Sequence, residues 1–417
     1  VECGFGVIDI ASRVTDDPAP ASTNQMAESS RIPVRPLVLL ATAGFASTAA
    51  TRVADPLIPQ LVAEFGTTAG AASIVATAFT VSYGLTQIAC GPLGDRFGRY
   101  RMVVVATLLS AFAAGATALV GSLTMLALAR FISGATMGAI IPLAIAWLGD
   151  VVPYDQRQPV LARFLSGQIS GIVFGQIFGG VFGDTLGWRG IFVLFAALYL
   201  VVTALLFNEL RSPRVRDARS GGHSGGTIAR YIAVLRLKVA QRLLTITMVE
   251  GFLFFGALVY FGAALHERFG LRYVVVGLYL ACFGLGGLLY TLAVKLWVRL
   301  GQRGLVLAGG TMLFLAFNLA AVAPVPWLFA PVLTACGCGF YMMHNTLQVH
   351  VTQMAPGARG LAISLFAFCF FLAQSAGVAT MGRLVDTIGY APVFVVSGWL
   401  LLALSLVFRA YLGKQGG

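Results

Sequence analysis

The chain has 417 residues, of which 58% are hydrophobic and only 11% charged, and its mean hydropathy is +0.86. A water-soluble globule of that composition would expose apolar surface on every side and aggregate, so the solvent it suits is lipid. The formal net charge of +12 would by itself suit nucleic acid, but the basic residues are placed along the chain as membrane topology places them.

Residues 1–30 are polar, carry Asp9, Asp16, Asp17 and Glu28, and hold no apolar stretch of signal-peptide length. Residues 1–34 are therefore expected to form a disordered cytoplasmic tail. From there on, apolar runs recur at about the 20 residues needed to cross a hydrocarbon core about 30 Å thick. They fall at 35–54, 70–93, 101–120, 122–149, 158–182, 188–208, 241–265, 273–297, 304–322, 327–352, 359–383 and 390–411. The pattern predicts an all-α membrane protein with twelve transmembrane helices. A membrane β-barrel would instead alternate in strands of about ten residues, which the unbroken run from Met102 to Val120 contradicts.

Counted alternately from the first, the inner segments and adjoining helix ends hold most of the 28 Lys and Arg; Arg189, Arg268, Arg272 and Arg383 lie outside, and Arg52 and Arg130 lie within spans. Positive residues stay on the cytoplasmic side, so both termini are expected there, in a bacterial-type inner (plasma) membrane. The basic surplus then serves topology and attraction to anionic lipid heads rather than nucleic acid. The six cysteines, Cys3, Cys90, Cys282, Cys336, Cys338 and Cys369, lie mostly inside spans without metal-ligand spacing, and packing is their expected role.

The longest polar interruption, Glu209 to Arg242, includes the flexible run Ser220 to Gly226 and divides the spans six to six. It predicts a six-helix bundle at 35–208, a cytoplasmic linker at 209–240, a second bundle at 241–411 and a short tail at 412–417. The halves share an ancestor by their own residues. Asp184-Thr185-Leu186-Gly187-Trp188 recurs as Asp386-Thr387-Ile388-Gly389-Tyr390, 202 positions later, and Arg157 finds Arg359 at the same offset. An even number of spans per copy keeps both copies in one orientation, which makes the bundles pseudo-symmetric about an axis along the membrane normal, with the pathway between them.

Between the second and third apolar runs stands Gly91-Pro92-Leu93-Gly94-Asp95-Arg96-Phe97-Gly98-Arg99-Tyr100-Arg101, read as a tight hinge joining two membrane helices. Its degenerate partner in the second half, Arg299-Leu300-Gly301, has Val298 in place of Asp95, so any latch built on that carboxylate is asymmetric. The segment resembles the signature between spans 2 and 3 of the major facilitator superfamily, whose members have two six-helix bundles around a central cavity. The twelve-span layout extends that resemblance over 35–411. It implies that Gly91, Asp95, Arg96, Gly98 and Arg99 form a conformational latch holding the cytoplasmic faces of the bundles together in the outward-open state. An acid at the end of span 2 would accept from exposed amides at the start of span 11, near Gly360. Leu128 to Gly134 resembles the family's fourth-span motif, in which a buried arginine, here Arg130, is linked to proton transfer. Gly171 to Gly180 resembles the fifth-span motif of drug/proton antiporters, with Gln176 where those carry proline.

Ionisable groups inside spans are costly and therefore candidates for function. Arg52 and Asp55, three apart on one helical face, are placed to pair. Arg130 lies well inside span 4 and needs a carboxylate, carbonyls or water. Glu250 lies in an otherwise apolar part of span 7, where burial favours its protonated form, and it is the first choice for a proton site. His344 and Asn345 of span 10 are expected to line the cavity, since histidine titrates near neutral pH, and Gln176 and Gln374 are further polar candidates. Phe174, Phe178, Phe252, Phe254, Phe255 and Tyr260 are expected in the apolar wall. No phosphate-binding Gly-Lys-Ser/Thr loop occurs, and no clustered His, Asp and Glu suggest a metal or an enzyme. The expectation is a secondary active transporter, a monomer without cofactor, that exports a small organic molecule against a proton gradient by alternating access. Proton-coupled or facilitative uptake of a sugar or organic anion is the alternative, and a transport-dead membrane sensor comes after it.

Overall fold

The computed structural model describes residues 34–153, 156–211 and 227–414; the expected tail, apart from Val34, and the Ser220 to Gly226 run lie outside them. Among the described residues no strand occurs. Twelve helical segments of the described residues are long and apolar enough to cross a membrane: Val34–Phe65, Ala69–Phe97, Arg99–Leu119, Leu123–Val151, Arg157–Asp184, Gly187–Glu209, Lys238–Phe269, Tyr273–Leu292, Val294–Val322, Pro326–Gln353, Pro356–Ile388 and Tyr390–Gly413. They are spans 1 to 12, and the protein is an all-α membrane protein as its sequence predicted.

The segment read as a hinge between spans 2 and 3 is mostly helix. The main helix of span 2, Ile74–Phe97, runs through Pro92, and Gly98 alone turns the chain before span 3 starts at Arg99. Its φ of 89° is one that a side chain would resist. Spans 1 and 7 are each broken near the end remote from this turn. Span 1 is the helix Val34–Arg52, a 3-10 turn Asp55–Leu57 and the helix Ile58–Phe65. Pro56 and Pro59 lack the N–H that would continue the ladder, which accounts for the break there. Span 7 is Lys238–Leu258 followed by Phe261–Phe269, with no proline at the break. The two breaks occupy corresponding places in the halves and meet, since a Cβ on Gly262 would lie 3.1 Å from the Asp55 carbonyl oxygen.

Spans 2 and 4, 3 and 6, and 3 and 4 pack together in the first half; 7 and 11, 8 and 10, and 9 with 10 and 12 do so in the second. Across the halves, span 5 packs on 8, span 2 on 11, and the broken end of 1 on that of 7. Span 5 lies against span 1 through glycines of the segment that resembles the fifth-span motif: a Cβ on Gly171, Gly175 or Gly179 would overlap the backbone oxygen of Phe45, Ala49 or Val53. Small residues let membrane helices approach this closely. Gly175→Leu is therefore expected to force the two spans apart, costing about 1–3 kcal/mol or more by overpacking, and to lower the melting temperature of the detergent-purified protein.

Within the expected linker, Thr227–Leu235 is helical. Tyr231 and Val234 are buried, and the Tyr231 hydroxyl donates to the Ile88 carbonyl of span 2 at 3.3 Å. Its apolar residues Ile228, Tyr231, Ile232 and Leu235 recur at helical spacing, a period that the surrounding charges obscured.

Candidate functional site

Two buried polar groups face one another across the halves. In the first, the Arg52 guanidinium closes the last turn before the break in span 1, and its Nη1 lies 3.8 Å from Asp55 Oδ2. Gln176 Nε2 donates to the same oxygen at 3.2 Å, so the residue that stands where a proline was looked for ties span 5 to the break. All three are buried. The Arg52 guanidinium also sits over the Phe255 ring of span 7, at 3.8 Å, a cation–π contact with the opposite half.

Arg130 is wholly buried but meets no carboxylate in hydrogen-bond reach among the described residues. Nη2 donates to the Ala50 carbonyl at 2.9 Å and Nε to that of Val75 at 3.4 Å, with the Phe79 ring 4.0 Å beneath. Ala50 lies one turn ahead of the break in span 1, where helix carbonyls lose their ladder partners. Arg130 thus ties span 4 to spans 1 and 2.

In the second group, Glu250 is 0% exposed, and its Oε2 lies 2.8 Å from His344 Nδ1. The histidine packs against Phe340, Phe366 and Phe370, with ring centroids 4.7, 5.1 and 4.9 Å away. Its side chain is 14% exposed, and Asn345 beside it is half-buried. Span 11 comes close enough that a Cβ on Gly251 would lie 2.8 Å from the Phe370 carbonyl oxygen. The sequence named Glu250 and His344 separately, and only the crossing of spans 7 and 10 pairs them. Phe255 stacks edge-on against Phe340 and Phe370 at 5.2 and 5.7 Å, so an aromatic wall separates Glu250 and His344 from Arg52. Phe254, Phe255 and Tyr260 are buried, whereas Phe174 is exposed.

Several buried acceptors and donors in these groups are left without partners among the described residues: Asp55 Oδ1, Gln176 Oε1, Arg130 Nη1, Glu250 Oε1 and Gln374 Oε1. Such atoms are costly inside a membrane protein.

Of the residues expected to form a latch, Asp95 Oδ1 is held by Arg99 Nη2 at 3.0 Å, and Arg99 Nη1 is in turn held by Asp150 at 2.7 Å. Arg96 lies over the Phe97 ring. A Cβ on Gly91 or Gly360 would meet nothing within 4 Å, and among the described residues Asp95 accepts from Arg99 of its own half in place of the amides expected near Gly360. At the other end the halves are closed: the Tyr260 hydroxyl of span 7 lies 2.7 Å from both Ser73 Oγ of span 2 and the Val378 carbonyl of span 11. Asp150 and Tyr260 were not singled out as partners in the sequence, because nothing local marks a distant contact.

Twelve apolar helices with paired breaks and buried charge at the meeting of two halves define a membrane transporter. A family model described as the Major Facilitator Superfamily matches residues 40–378, and the chain belongs to that family. It is 25% identical over 387 residues to an uncharacterised transporter of the same type, YwfA of Bacillus subtilis, covering 91% of this chain and 93% of that protein. It is also 25% identical over 375 residues to a chloramphenicol resistance protein of Streptomyces lividans, covering 88% and 95%. Its fold is similar to the crystal structure of the nucleoside transporter NupG, with a TM-score of 0.74 at 14% identity over 91% of this chain and 99% of that one.

Proposed function

We propose that the protein exports a small organic molecule across the inner membrane by proton antiport, with Glu250 and His344 as the proton-binding pair and both chain ends in the cytoplasm. The observation that carries the reading is the wholly buried Glu250 carboxyl, hydrogen-bonded through one oxygen to a titratable side chain and unpartnered at the other. A proton shared between Glu250 Oε2 and His344 Nδ1 stays inside the protein, and His344, the more exposed of the two, is the route by which it leaves. Arg52, Asp55 and Gln176 supply fixed charge and hydrogen bonds on the facing half, with Asn345 and Gln374 as further polar lining. Arg130 holds the frame around the break in span 1. The Asp95 carboxylate held by Arg99 of its own half, with the halves closed at Tyr260, supports a state in which the Asp95, Arg96 and Arg99 latch is released and the cavity faces the cytoplasm. Export rather than uptake is supported by the similarity to a protein named for drug resistance.

The test is proton release or uptake by purified protein in proteoliposomes under an imposed pH gradient, run against a panel of lipophilic organic compounds that includes chloramphenicol. Compound movement that runs against the proton gradient and collapses with a protonophore is the expected result. Movement indifferent to the gradient would make the protein a facilitator, and movement of compound with the protons would make it an importer.

A further inference from the structure

The segment that the halves retain best performs the same task twice, in each case on the other half. At the end of span 5, Asp184 reaches across to the start of span 8, where Oδ1 accepts from the Tyr273 N–H at 3.2 Å and Oδ2 from the Val274 N–H at 2.8 Å. Arg272 Nε stands 3.6 Å from Oδ2. At the end of span 11, Asp386 reaches across to the start of span 2, where Oδ1 accepts from the Gly70 N–H at 3.0 Å and Oδ2 from the Thr68 hydroxyl at 2.7 Å. The first amides of a helix have no partner within it and carry its positive end, so each carboxylate satisfies groups that would otherwise need water.

The repeat also supplies the approach. Four residues before each aspartate stands a glycine, Gly180 and Gly382, again 202 positions apart. A Cβ on Gly180 would overlap the Tyr273 carbonyl, and one on Gly382 would lie 2.8 Å from the Gly70 Cα and overlap the Tyr260 hydroxyl. In each copy glycine lets the backbones of opposite halves touch, and the aspartate one turn later caps the helix so approached.

We propose that the two Gly-x-x-x-Asp segments, at Gly180–Asp184 and Gly382–Asp386, are a paired gate that holds the halves closed at the end remote from Gly98, and that both must release for the cavity to open there. The Asp95 segment at the opposite end has lost its carboxylate in the second copy, where Val298 stands, so the end carrying it has at most one such latch. The gate is twofold and the latch single. Closure at the remote end is therefore the more strongly held, and neutralising one gate leaves the other in place. Behind the second gate the contact continues inward through Thr80 Oγ1 and Ser375 Oγ, 2.7 Å apart and buried.

The test reads conformation, not transport, so its failure is distinct from failure of the antiport reading. In a background with the native cysteines replaced, spin labels at Leu186→Cys and Ile388→Cys, both exposed and one in each half, report the separation of the halves at the gated end. The double variant Asp184→Asn with Asp386→Asn keeps the shape of each side chain and loses its charge. It is expected to raise the ratio of long to short separations at least about tenfold, and each single variant by less than half of that on a logarithmic scale, because one gate still holds. In a second readout, Ser375→Cys is expected to become at least about tenfold more reactive to a maleimide in the Asp184→Asn with Asp386→Asn background, and by less than half of that on a logarithmic scale with either single variant, since it is shielded while either gate is shut. Should the double variant not fold, Thr68→Ser, which keeps the hydroxyl cap on the Ala71 N–H, serves as control for Thr68→Ala, which removes that cap together with one donor to Asp386 and is expected to move both readouts in the same direction by less. Unchanged separations and unchanged reactivity in the folded variants would overturn the proposal.

Discussion

Glu250→Gln is expected to abolish gradient-driven accumulation while leaving binding and substrate exchange in place. The amide has the size of the carboxylate, so it still fills the site among spans 7, 10 and 11 and can still hydrogen-bond to His344 Nδ1, which now lies 2.8 Å from Glu250 Oε2. It cannot release a proton, however, and a cycle that needs one bound on one side and lost on the other stalls. Loss of a positioned proton-transferring group costs about 100-fold or more, and the expected fall in uphill flux is of that order. Exchange of labelled for unlabelled compound, which needs no net proton movement, is expected to survive. His344→Asn, which keeps a polar group and removes the imidazole, is expected to slow uphill flux without abolishing it. Full gradient-driven transport by Glu250→Gln would remove the carboxylate from the proposed cycle and turn attention to Asp55, the other buried acid at the meeting of the halves.

Arg130→Ala is expected to damage the protein itself. The guanidinium serves the Ala50 and Val75 carbonyls and covers the Phe79 ring, so truncation leaves two buried acceptors and a void beside the break in span 1. A buried acceptor left without its donor costs about 1–3 kcal/mol, to which a cavity term adds. A lower melting temperature and a reduced yield of monodisperse protein in detergent are the expected results. Arg130→Lys keeps the charge and one reach of donor, and is expected to recover part of the stability. Wild-type melting with lost transport in Arg130→Ala would show instead that this arginine acts in coupling and is not needed as a tie.

Much of the fold was legible because membrane helices must be long and apolar, and that constraint is written locally in the chain. The number of spans, their approximate limits and the equivalence of the halves follow from composition and spacing, and the closely packed Gly171, Gly175 and Gly179 lie in the segment that resembles the fifth-span motif. The break at Asp55 was marked by Pro56 and Pro59, but the matching break after Leu258 has no proline and no local sign. Gly98 likewise turns the chain alone, while the rest of its motif continues the helix, because one residue with positive φ is enough to reverse direction. The sequence ranked Glu250, Arg130 and Arg52 as costly charges by themselves. It could not say that Glu250 meets His344, that Arg130 answers backbone carbonyls in place of an acid, or that Arg52 rests on Phe255, since each partner lies on a distant span. Asp184 and Asp386 stood out only as a repeat. Their reach to the first amides of spans 8 and 2 depends on how the halves lean together, a relation between surfaces far apart in the chain that side-chain pattern does not encode and only tertiary packing decides.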